Sequence, residues 1–407
     1  IDGGEPIRKA PLPPWPHFEA EEIRAAIDVL ESGKVNYWTG REGLEFEREF
    51  SAFAGCKYGV AVANGTVALE LALRALGVGP GDEVIVPSRT FIASASCAVI
   101  CGAIPVPVDV DAVSQDLTPD TIFPYLSPRT KVIVAVHLAG WPCDMDPIVD
   151  LARQHGIKVV EDCAQAHGAT YKKRRVGSLG DVAAFSFCQD KIMTTGGEGG
   201  MLTTGDRALW EYARSFKDHG KSYNGAHHRQ DSLGFGWVHD SFGTNWRLTE
   251  MQAAIGRVLL RKLPAAVEKR RQNAAILTEA FSELPALRVT RPLEEFGHSY
   301  YKYYVFLRPE RLKSGWTRER ILRAINDEGI PCFGGICSEI YLENAFAEEL
   351  RPRKRHEIAR QLGETSLMFL VHPTLSCEDM LDTCRAVDKV LEVATEWRCS
   401  KDTLTPF

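Results

Sequence analysis

The sequence predicts an α/β protein in which a large, mostly parallel sheet is flanked by helices and a smaller α+β domain follows. From residue 57, short β-rich runs alternate with amphipathic helices, which is the pattern of a parallel sheet covered on both faces. After Gly243 this alternation gives way to long helices. The 407 residues are 44% hydrophobic and 25% charged, which is ordinary for a chain with a sizeable core. We therefore expect a large domain at residues 1–250 and a small domain at residues 251–407.

The elements follow in order along the chain. The proline-rich segment 11–16 is unsuited to a helix, so it predicts an extended arm at about residues 1–18. Helical periodicity covers 19–31 and 43–54. In the large domain the predicted strands are 58–63, 83–87, 104–108, 131–136, 158–161, 182–187 and 200–203, with helices at 67–76, 92–100 and 147–155. In the small domain the predicted elements are helices at 249–263 and 265–284, a strand at 300–307, and helices at 317–328 and 378–396.

Charge and composition exclude several classes of partner. The formal net charge of −6 gives no electrostatic reason to bind nucleic acid or an anionic membrane. No apolar run approaches the roughly 20 residues that span a bilayer, and the opening residues do not form a secretory signal. The eleven cysteines lack the paired spacing of a disulfide framework or a zinc site. We therefore expect a cytoplasmic protein with reduced thiols and no metal.

Lys191 is the first candidate for a catalytic residue. It follows the predicted strand 182–187 and precedes a turn with four glycines in the five positions 196–200. Most lysines are solvated surface residues, and the glycines also fit a mobile loop. A lysine beside a ligand site can instead condense with an aldehyde cofactor, and glycines let the backbone pass close to a bound ring or a partner subunit.

Asp162 is a second candidate, because it comes at the end of the predicted strand 158–161, 29 residues before Lys191. The carboxyl ends of parallel strands are where open α/β sheets bind ligands. A carboxylate there suits pyridoxal phosphate, since it keeps the pyridine nitrogen protonated and so makes the ring an electron acceptor. Alternatively, Asp162 caps a following helix.

Gly65 and Thr66 stand where a strand turns into a helix. Free backbone amides and the Thr66 hydroxyl at a helix N-terminus form a phosphate site, although many helices begin with these residues. Phe91 precedes the next helix and either stacks on a cofactor ring or lies in the core.

The segments NGTVALELAL, GDEVIVPSRTFIASA, GAIPVPVDVD, VHLAG, VVEDCAQAHGA, GSLGDVAAFSF, TTGGEGG and GTNWRLTEMQAAIG occur in this order. Together they resemble the sugar aminotransferases of the DegT/DnrJ/EryC1/StrS type, pyridoxal-phosphate enzymes of fold type I with an aspartate-aminotransferase-like architecture. The resemblance runs from about residue 14 to at least residue 271.

This resemblance implies specific roles. Lys191 would form the Schiff base with the cofactor, and Asp162 would pair with the pyridine nitrogen. Asn245 would reach the phosphate of the neighbouring subunit, so that the active unit is a homodimer with shared sites. The other cofactor contacts implied are Gly65, Thr66 and Ser186 at the phosphate, Gln165 near the ring oxygen and Phe91 on the ring face.

The substrate side departs from the family pattern. Many members have one glycine fewer between the Thr-Thr pair and Glu198, and the stretch CFGGICSEIYLENAF stands where many carry Pro-Leu-His, with Tyr341 in place of the histidine. The substrate residues we expect are Trp38, Arg229 and Tyr341. Trp38 and the arm residue Trp15 could meet a nucleotide base or pack at the dimer interface.

The resemblance also implies a reaction. Glutamate or glutamine would donate an amino group, with Lys191 as general base, to a nucleotide-linked keto-deoxy sugar, at C4, for polysaccharide or antibiotic sugars. A 3-keto sugar, a cyclitol or an aromatic precursor is the alternative acceptor. A different class of relative comprises dehydratases, which carry histidine in place of the lysine, and regulatory proteins without turnover. The presence of Lys191 argues against the histidine-type dehydratase.

Overall fold

A seven-stranded sheet lies at the centre of the large domain. The computed structural model describes residues 3–221 and 239–396. The strands are β1 Tyr58–Val62, β2 Glu83–Pro87, β3 Ile104–Val108, β4 Thr130–Val136, β5 Lys158–Asp162, β6 Thr170–Tyr171, β7 Arg174–Arg175, β8 Val182–Ser186, β9 Gly200–Thr204, β10 Leu287–Val289, β11 Phe296–Gly297, β12 Tyr303–Leu307, β13 Cys332–Phe333 and β14 Ser366–Phe369. The central sheet has the order β1-β9-β8-β5-β4-β2-β3, in which only β9 runs antiparallel to its neighbours. This confirms the mostly parallel sheet.

Helices cover both faces of this sheet. The helices are α1 Ala20–Ser32, α2 Glu42–Ala54, α3 Gly65–Ala75, α4 Ala93–Ile100, α5 Pro119–Ile122, α6 Met145–Gln154, α7 Arg207–Phe216, α8 Glu250–Ser282, α9 Arg318–Asp327, α10 Glu357–Thr365 and α11 Cys377–Ala394. One face packs against α2, α6 and the first half of α8, and the other against α3, α4 and α7. The amphipathic periodicity of these helices therefore reflects burial of one side of each helix against one of the two faces of the sheet.

The small domain contains a four-stranded antiparallel sheet of order β10-β12-β14-β13. It packs against α9, α11 and the second half of α8. The expectation of two helices at 249–263 and 265–284 is wrong, because α8 continues through Pro264. Leu260 and Leu263 pack in the large-domain core, whereas Leu277 and Phe281 pack in the small-domain core. Packing at both ends outweighs the roughly 3 kcal/mol that an internal proline costs.

The proline-rich arm lies on the small domain, although it precedes the large one in sequence. Arg8 forms ion pairs with Asp379 at 2.7 Å and Asp382 at 3.0 Å. The Ile7 amide donates to the Glu328 carboxylate at 2.9 Å. Gly329 has φ +83°, and a Cβ there would overlap the carbonyl oxygen of Arg8. The arm is thus held against the small domain by charge pairs and close backbone contact.

Two further expectations concern membrane-spanning helices and the state of the cysteines. Within residues 3–221 and 239–396, no helix combines the length and the apolar character that crossing a bilayer requires. All ten cysteines in these ranges are free thiols.

Candidate active site

Three of the expected residues meet at the carboxyl edge of the central sheet. Asp162 ends β5, Ser186 ends β8, and these two strands pair in parallel. Gly65 begins α3 directly beside Ser186, so closely that a Cβ at Gly65 would lie 2.5 Å from the Ser186 Cβ. Because neighbouring parallel strands end at the same edge, the sequence order brings these residues to one place.

The turn before α3 has the shape of a phosphate site. Asn64 accepts a hydrogen bond from the Val67 amide at 3.0 Å, which leaves the Gly65 and Thr66 amides without a partner inside the helix. A Cβ at Gly200 would overlap the Asn64 carbonyl, so strand β9 approaches this turn without a side chain. Free amides, the exposed Thr66 and the Ser186 hydroxyl together fit an anionic group.

Asp162 is a buried carboxylate, with 6% of its surface exposed. It accepts hydrogen bonds from the Ser94 hydroxyl at 2.8 Å and the Ala164 amide at 3.1 Å. Burial raises its pKa, although these two donors and the charge of Lys191 act in the opposite direction. No cation forms an ion pair with it in the described part of the chain. The helix-cap alternative is wrong, since a turn and then β6 follow Asp162.

Lys191 lies in the turn after β8, and its position is fixed from two sides. Its carbonyl oxygen accepts a hydrogen bond from the Trp15 indole at 2.9 Å, and its amide donates to the Cys188 carbonyl at 3.1 Å. The ammonium lies 3.9 Å from an Asp190 carboxylate oxygen and 4.9 Å from the centre of the Tyr301 ring. The Tyr301 hydroxyl donates to the same carboxylate.

Gln165 and Phe91 flank this region. The Gln165 side-chain oxygen accepts a hydrogen bond from the Ala139 amide at 2.8 Å. Phe91 is 62% exposed, so the alternative that it belongs to the core is wrong. An exposed aromatic ring beside a sheet edge is free to stack on a planar ligand.

Asn245 is exposed, in a segment that runs beside β1. Its neighbour Trp246 accepts a hydrogen bond from the Ala63 amide at 2.9 Å, one residue before Asn64. Asn245 therefore stands near the phosphate-site turn of its own subunit as well as at the surface. Which subunit it serves stays a prediction.

The expected substrate residues are not brought together. Trp38 is 42% exposed, with the Lys221 ammonium 4.6 Å from its ring centre. Tyr341 is 2% exposed, and its hydroxyl donates to Glu339 and accepts from the His356 amide at 2.9 Å. This burial favours packing over substrate contact for Tyr341. Arg229 lies outside the described residues.

Sequence reasoning missed Ser94, Asp190 and Tyr301. Ser94 stands three residues after Phe91 on the first turn of α4, a position at the same sheet edge that could have flagged it. Asp190 directly precedes Lys191 in the sequence. Tyr301 belongs to the small domain, and no sequence motif around it indicates a contact with Asp190.

A cluster of His137, Glu161 and Cys163 has the composition of a metal site, and their ligand atoms lie within 4.8 Å of one another. Its polar atoms are already used, however. The His137 Nδ1 accepts from the Cys143 amide at 3.0 Å, so its Nε2 donates to Glu161 at 3.0 Å. Glu161 also accepts from the backbone amides of residues 177, 179 and 180. These bonds explain the cluster as a buried structural pair.

Comparison with known proteins identifies the family. The DegT/DnrJ/EryC1/StrS aminotransferase family model matches residues 16–388. The spore coat polysaccharide biosynthesis protein SpsC of Bacillus subtilis is 40% identical over 382 residues, 93% of this chain and 96% of that protein. The GDP-perosamine synthase of Caulobacter vibrioides is 38% identical over 381 residues, 92% of this chain and 97% of that protein.

Solved structures agree with the fold. An aminotransferase from Psychrobacter cryohalolentis is 52% identical, with a TM-score of 0.92 over 94% of this chain and 100% of that chain. One Streptococcus pneumoniae protein, solved in a PLP form and a PMP form, is 25% and 26% identical with TM-scores of 0.84 and 0.85. Each form covers 95% of this chain, and 99% and 100% of its own.

Proposed function

We propose that this chain, which belongs to the DegT/DnrJ/EryC1/StrS aminotransferase family, transfers an amino group from glutamate or glutamine to a keto carbon of a nucleotide-linked sugar. It is a pyridoxal-phosphate-dependent aminotransferase. The observation that carries the proposal is the combination, at one sheet edge, of Lys191 in a fixed turn with the buried Asp162, which has no cation paired with it in the described residues.

The residues present fit pyridoxal phosphate. Asp162 would hold a protonated ring nitrogen, and the buried carboxylate would gain there the positive partner that the described residues do not supply. Phe91 offers an exposed ring face. The phosphate would be held by Gly65, Thr66 and Ser186, where the backbone passes too closely for larger residues. When bound, the cofactor supplies an electron sink for the bond broken at the donor carbon.

Asp162 has one task in this arrangement, which is to keep a proton on the ring nitrogen. Ser94 and the Ala164 amide donate to its two oxygens and orient the carboxylate. The Ser94 hydroxyl is itself within 2.9 Å of Thr90, so the orientation rests on a small network. A fixed negative charge in a dry site acts more strongly than one in water.

Lys191 has two tasks, attachment of the cofactor and proton transfer at the donor carbon. Its amine would hold the cofactor and, when free, would serve as the base that moves a proton at the donor carbon. Asp190 and the Tyr301 ring lie around the ammonium, and Trp15 fixes the backbone to which it belongs. These contacts fix the backbone of Lys191 and leave its ammonium without a hydrogen bond among the described residues, so that it would be able to move a proton.

A nucleotide-linked acceptor is supported by the names of several relatives. They include a GDP-perosamine synthase, a dTDP-3-amino-3,4,6-trideoxy-alpha-D-glucose transaminase and a UDP-N-acetyl-3-dehydro-alpha-D-glucosamine 3-aminotransferase. In this chain Trp38 and Lys221 place an aromatic ring and an ammonium side by side near the surface, a combination suited to a base and a phosphate. We expect amination at C4, and the names of two relatives make C3 the alternative.

A homodimer is supported by an apolar stripe on α1. Ile23, Ile27 and Leu30 follow the i, i+4, i+7 spacing of one helix face and are all exposed. The opposite side of α1 packs on α8, where Lys262 pairs with Glu19 and Glu22. An exposed stripe of this kind suits burial against a second copy of the chain.

The test is a two-step assay on cofactor-loaded protein. Glutamate or glutamine should remove the visible absorbance of the lysine-bound cofactor, and a keto acceptor should restore it. The acceptor panel contains GDP-, dTDP- and UDP-linked 4-keto and 3-keto sugars, together with 2-deoxy-scyllo-inosose, because one relative is named for that cyclitol. Restoration by the cyclitol alone would replace the nucleotide-sugar proposal. A dehydrated product that carries no new amino group would indicate a dehydratase, and absence of any donor effect would indicate a non-catalytic protein.

A further inference from the structure

A cavity of about 490 Å³ lies between the arm and the small domain, beside the turn that carries Lys191. Arm residues 11–15 form one side of it, and Asp190, Lys302 and His372 contribute polar groups to its lining. Its volume is in the range of small-molecule sites. Asp190 both lines this cavity and lies 3.9 Å from the Lys191 ammonium, so the cavity adjoins the candidate active site.

The arm side of the cavity is held in place. The Trp15 indole donates to the Lys191 carbonyl, and its ring stacks on His372 at 6.0 Å between centres. The Pro14 carbonyl accepts from the Thr374 hydroxyl at 3.1 Å. Several independent contacts therefore keep the cavity open at a fixed distance from Lys191.

Positive charge predominates around the cavity. Lys302 is half-buried, and in the part of the chain that the structure describes its ammonium forms no ion pair or hydrogen bond; the centre of the Tyr301 ring lies 4.7 Å from it, and the charge of Asp190 also acts on it. Arg270 is 1% exposed and lies 5.0 Å from the Trp15 ring centre, and its Nε and Nη2 have no hydrogen-bond partner among the described residues. Asp190 is the sole acid in the described lining, and it already accepts from Tyr301.

The buried cations retain their charge at neutral pH. Burial lowers the pKa of Lys302 to about 8 and that of Arg270 to about 9, so both remain mostly protonated at pH 7. His372 contributes no charge, because burial lowers its pKa to about 3. The result is a half-buried ammonium that forms no ion pair among the described residues, with a second cation behind it, in a cavity next to Lys191.

We propose that this cavity binds the distal carboxylate of the amino donor, and that the Lys302 ammonium pairs with this carboxylate. The inference rests on the proposed function and names the donor subsite of that same site. A carboxylate carries one negative charge, which matches one unpaired ammonium. A dianionic phosphate fits less well, because Asp190 lines the same cavity and repels two negative charges more strongly than the single charge of a carboxylate. Donor and acceptor both bring their reacting carbon to Lys191, so it is the charge of the lining that assigns the cavity to the carboxylate of the donor rather than to the diphosphate of the acceptor.

The test uses cofactor-loaded protein and three variants, Lys302→Met, Lys302→Arg and Lys354→Met. Lys354 is an exposed lysine of the same domain and serves as the matched control. We expect Lys302→Met to raise the glutamate concentration for half-maximal loss of the cofactor absorbance at least about tenfold, with little change in the limiting rate. Lys302→Arg should restore most of this affinity, and alanine, which lacks a distal carboxylate, should be used equally by all variants.

A binding measurement without turnover accompanies these kinetics. Glutarate, a dicarboxylate that lacks an amine, should raise the Tm of wild type and of Lys354→Met but not of Lys302→Met. The proposal is overturned if Lys302→Met keeps the wild-type glutamate dependence, if it impairs only the acceptor step, or if inorganic phosphate stabilises the protein where glutarate does not. If no amino donor affects even the wild type, the proposed function fails instead, and the glutarate shift still tests the carboxylate site.

Discussion

The indole nitrogen of Trp15 lies 2.9 Å from the carbonyl oxygen of Lys191, across 176 positions of sequence. The same ring stacks on His372 and lies 5.0 Å from the centre of the Arg270 guanidinium. Trp15 belongs to an arm whose charged anchor, Arg8, pairs with α11. The backbone of Lys191 is therefore tied to the small domain through the Trp15 side chain.

Replacement of Trp15 by phenylalanine should slow catalysis without loss of cofactor. Phenylalanine keeps the ring stacking but cannot donate to the Lys191 carbonyl, so one hydrogen bond worth about 1 kcal/mol is lost. We expect kcat to fall about fivefold while KM for the donor and the absorbance of bound cofactor change little. Trp316→Phe, at a small-domain tryptophan that contacts Arg320, is the control and should behave as wild type. An unchanged kcat in Trp15→Phe would show that the contact does not position the lysine.

Asp162→Asn should impair catalysis strongly, because an amide cannot keep a proton on the ring nitrogen. We expect kcat to fall at least about 100-fold, or roughly 2.7 kcal/mol in the barrier. Asparagine retains an oxygen that can accept from Ser94, so the local geometry should persist. Normal specific activity in a poorly folded preparation would mean that Asp162 is a structural residue.

Asp162→Asn should also reveal the cost of the buried charge in the cofactor-free protein. Burial raises the folded-state pKa of Asp162, so ionisation of this carboxyl opposes folding. The penalty is absent below the ordinary carboxyl pKa and develops as pH rises through the interval up to the raised folded-state value. Cofactor-free Asp162→Asn should therefore have a Tm at pH 7 no lower than that of wild type, and any advantage should vanish in acid. A lower Tm at pH 7 would contradict this account.

Lys191 should be the residue that carries the cofactor. Borohydride reduction and peptide mapping should place the pyridoxyl label on Lys191, and Lys191→Ala should lose the visible absorbance. Lys217 serves as the internal comparison: it is fully buried and its ammonium donates to the Ala61 carbonyl at 3.0 Å and pairs with Glu47, so no label is expected there. A label on Lys217 or Lys221 would overturn the assignment.

The large domain could be predicted closely because its signals are local. Alternation of strands and helices locates β2 and β3 to the residue, and the rule that ligands bind at strand ends selects Asp162 from the sequence alone. Contacts across long sequence separations could not be predicted in this way. Pro264 suggests a helix break. The helix continues through it because residues on either side of Pro264 pack in the cores of both domains. The Trp15 contact with Lys191 and the position of Lys302 in the cavity likewise depend on where the arm and the segment before β12 lie in the fold.

The site should be shared between two subunits. Mixing Lys191→Ala with Asn245→Asp, whose added charge repels a phosphate, should restore activity once subunits exchange. If Asn245 serves its partner, one site of each mixed dimer carries both defects and the other carries neither. Random pairing makes half of the dimers mixed, so recovery should approach about a quarter of wild-type activity. Asn245 also stands near the turn of its own subunit, next to Trp246, which accepts from the Ala63 amide. If it serves that subunit instead, both sites of a mixed dimer are damaged, and activity stays low despite demonstrated exchange.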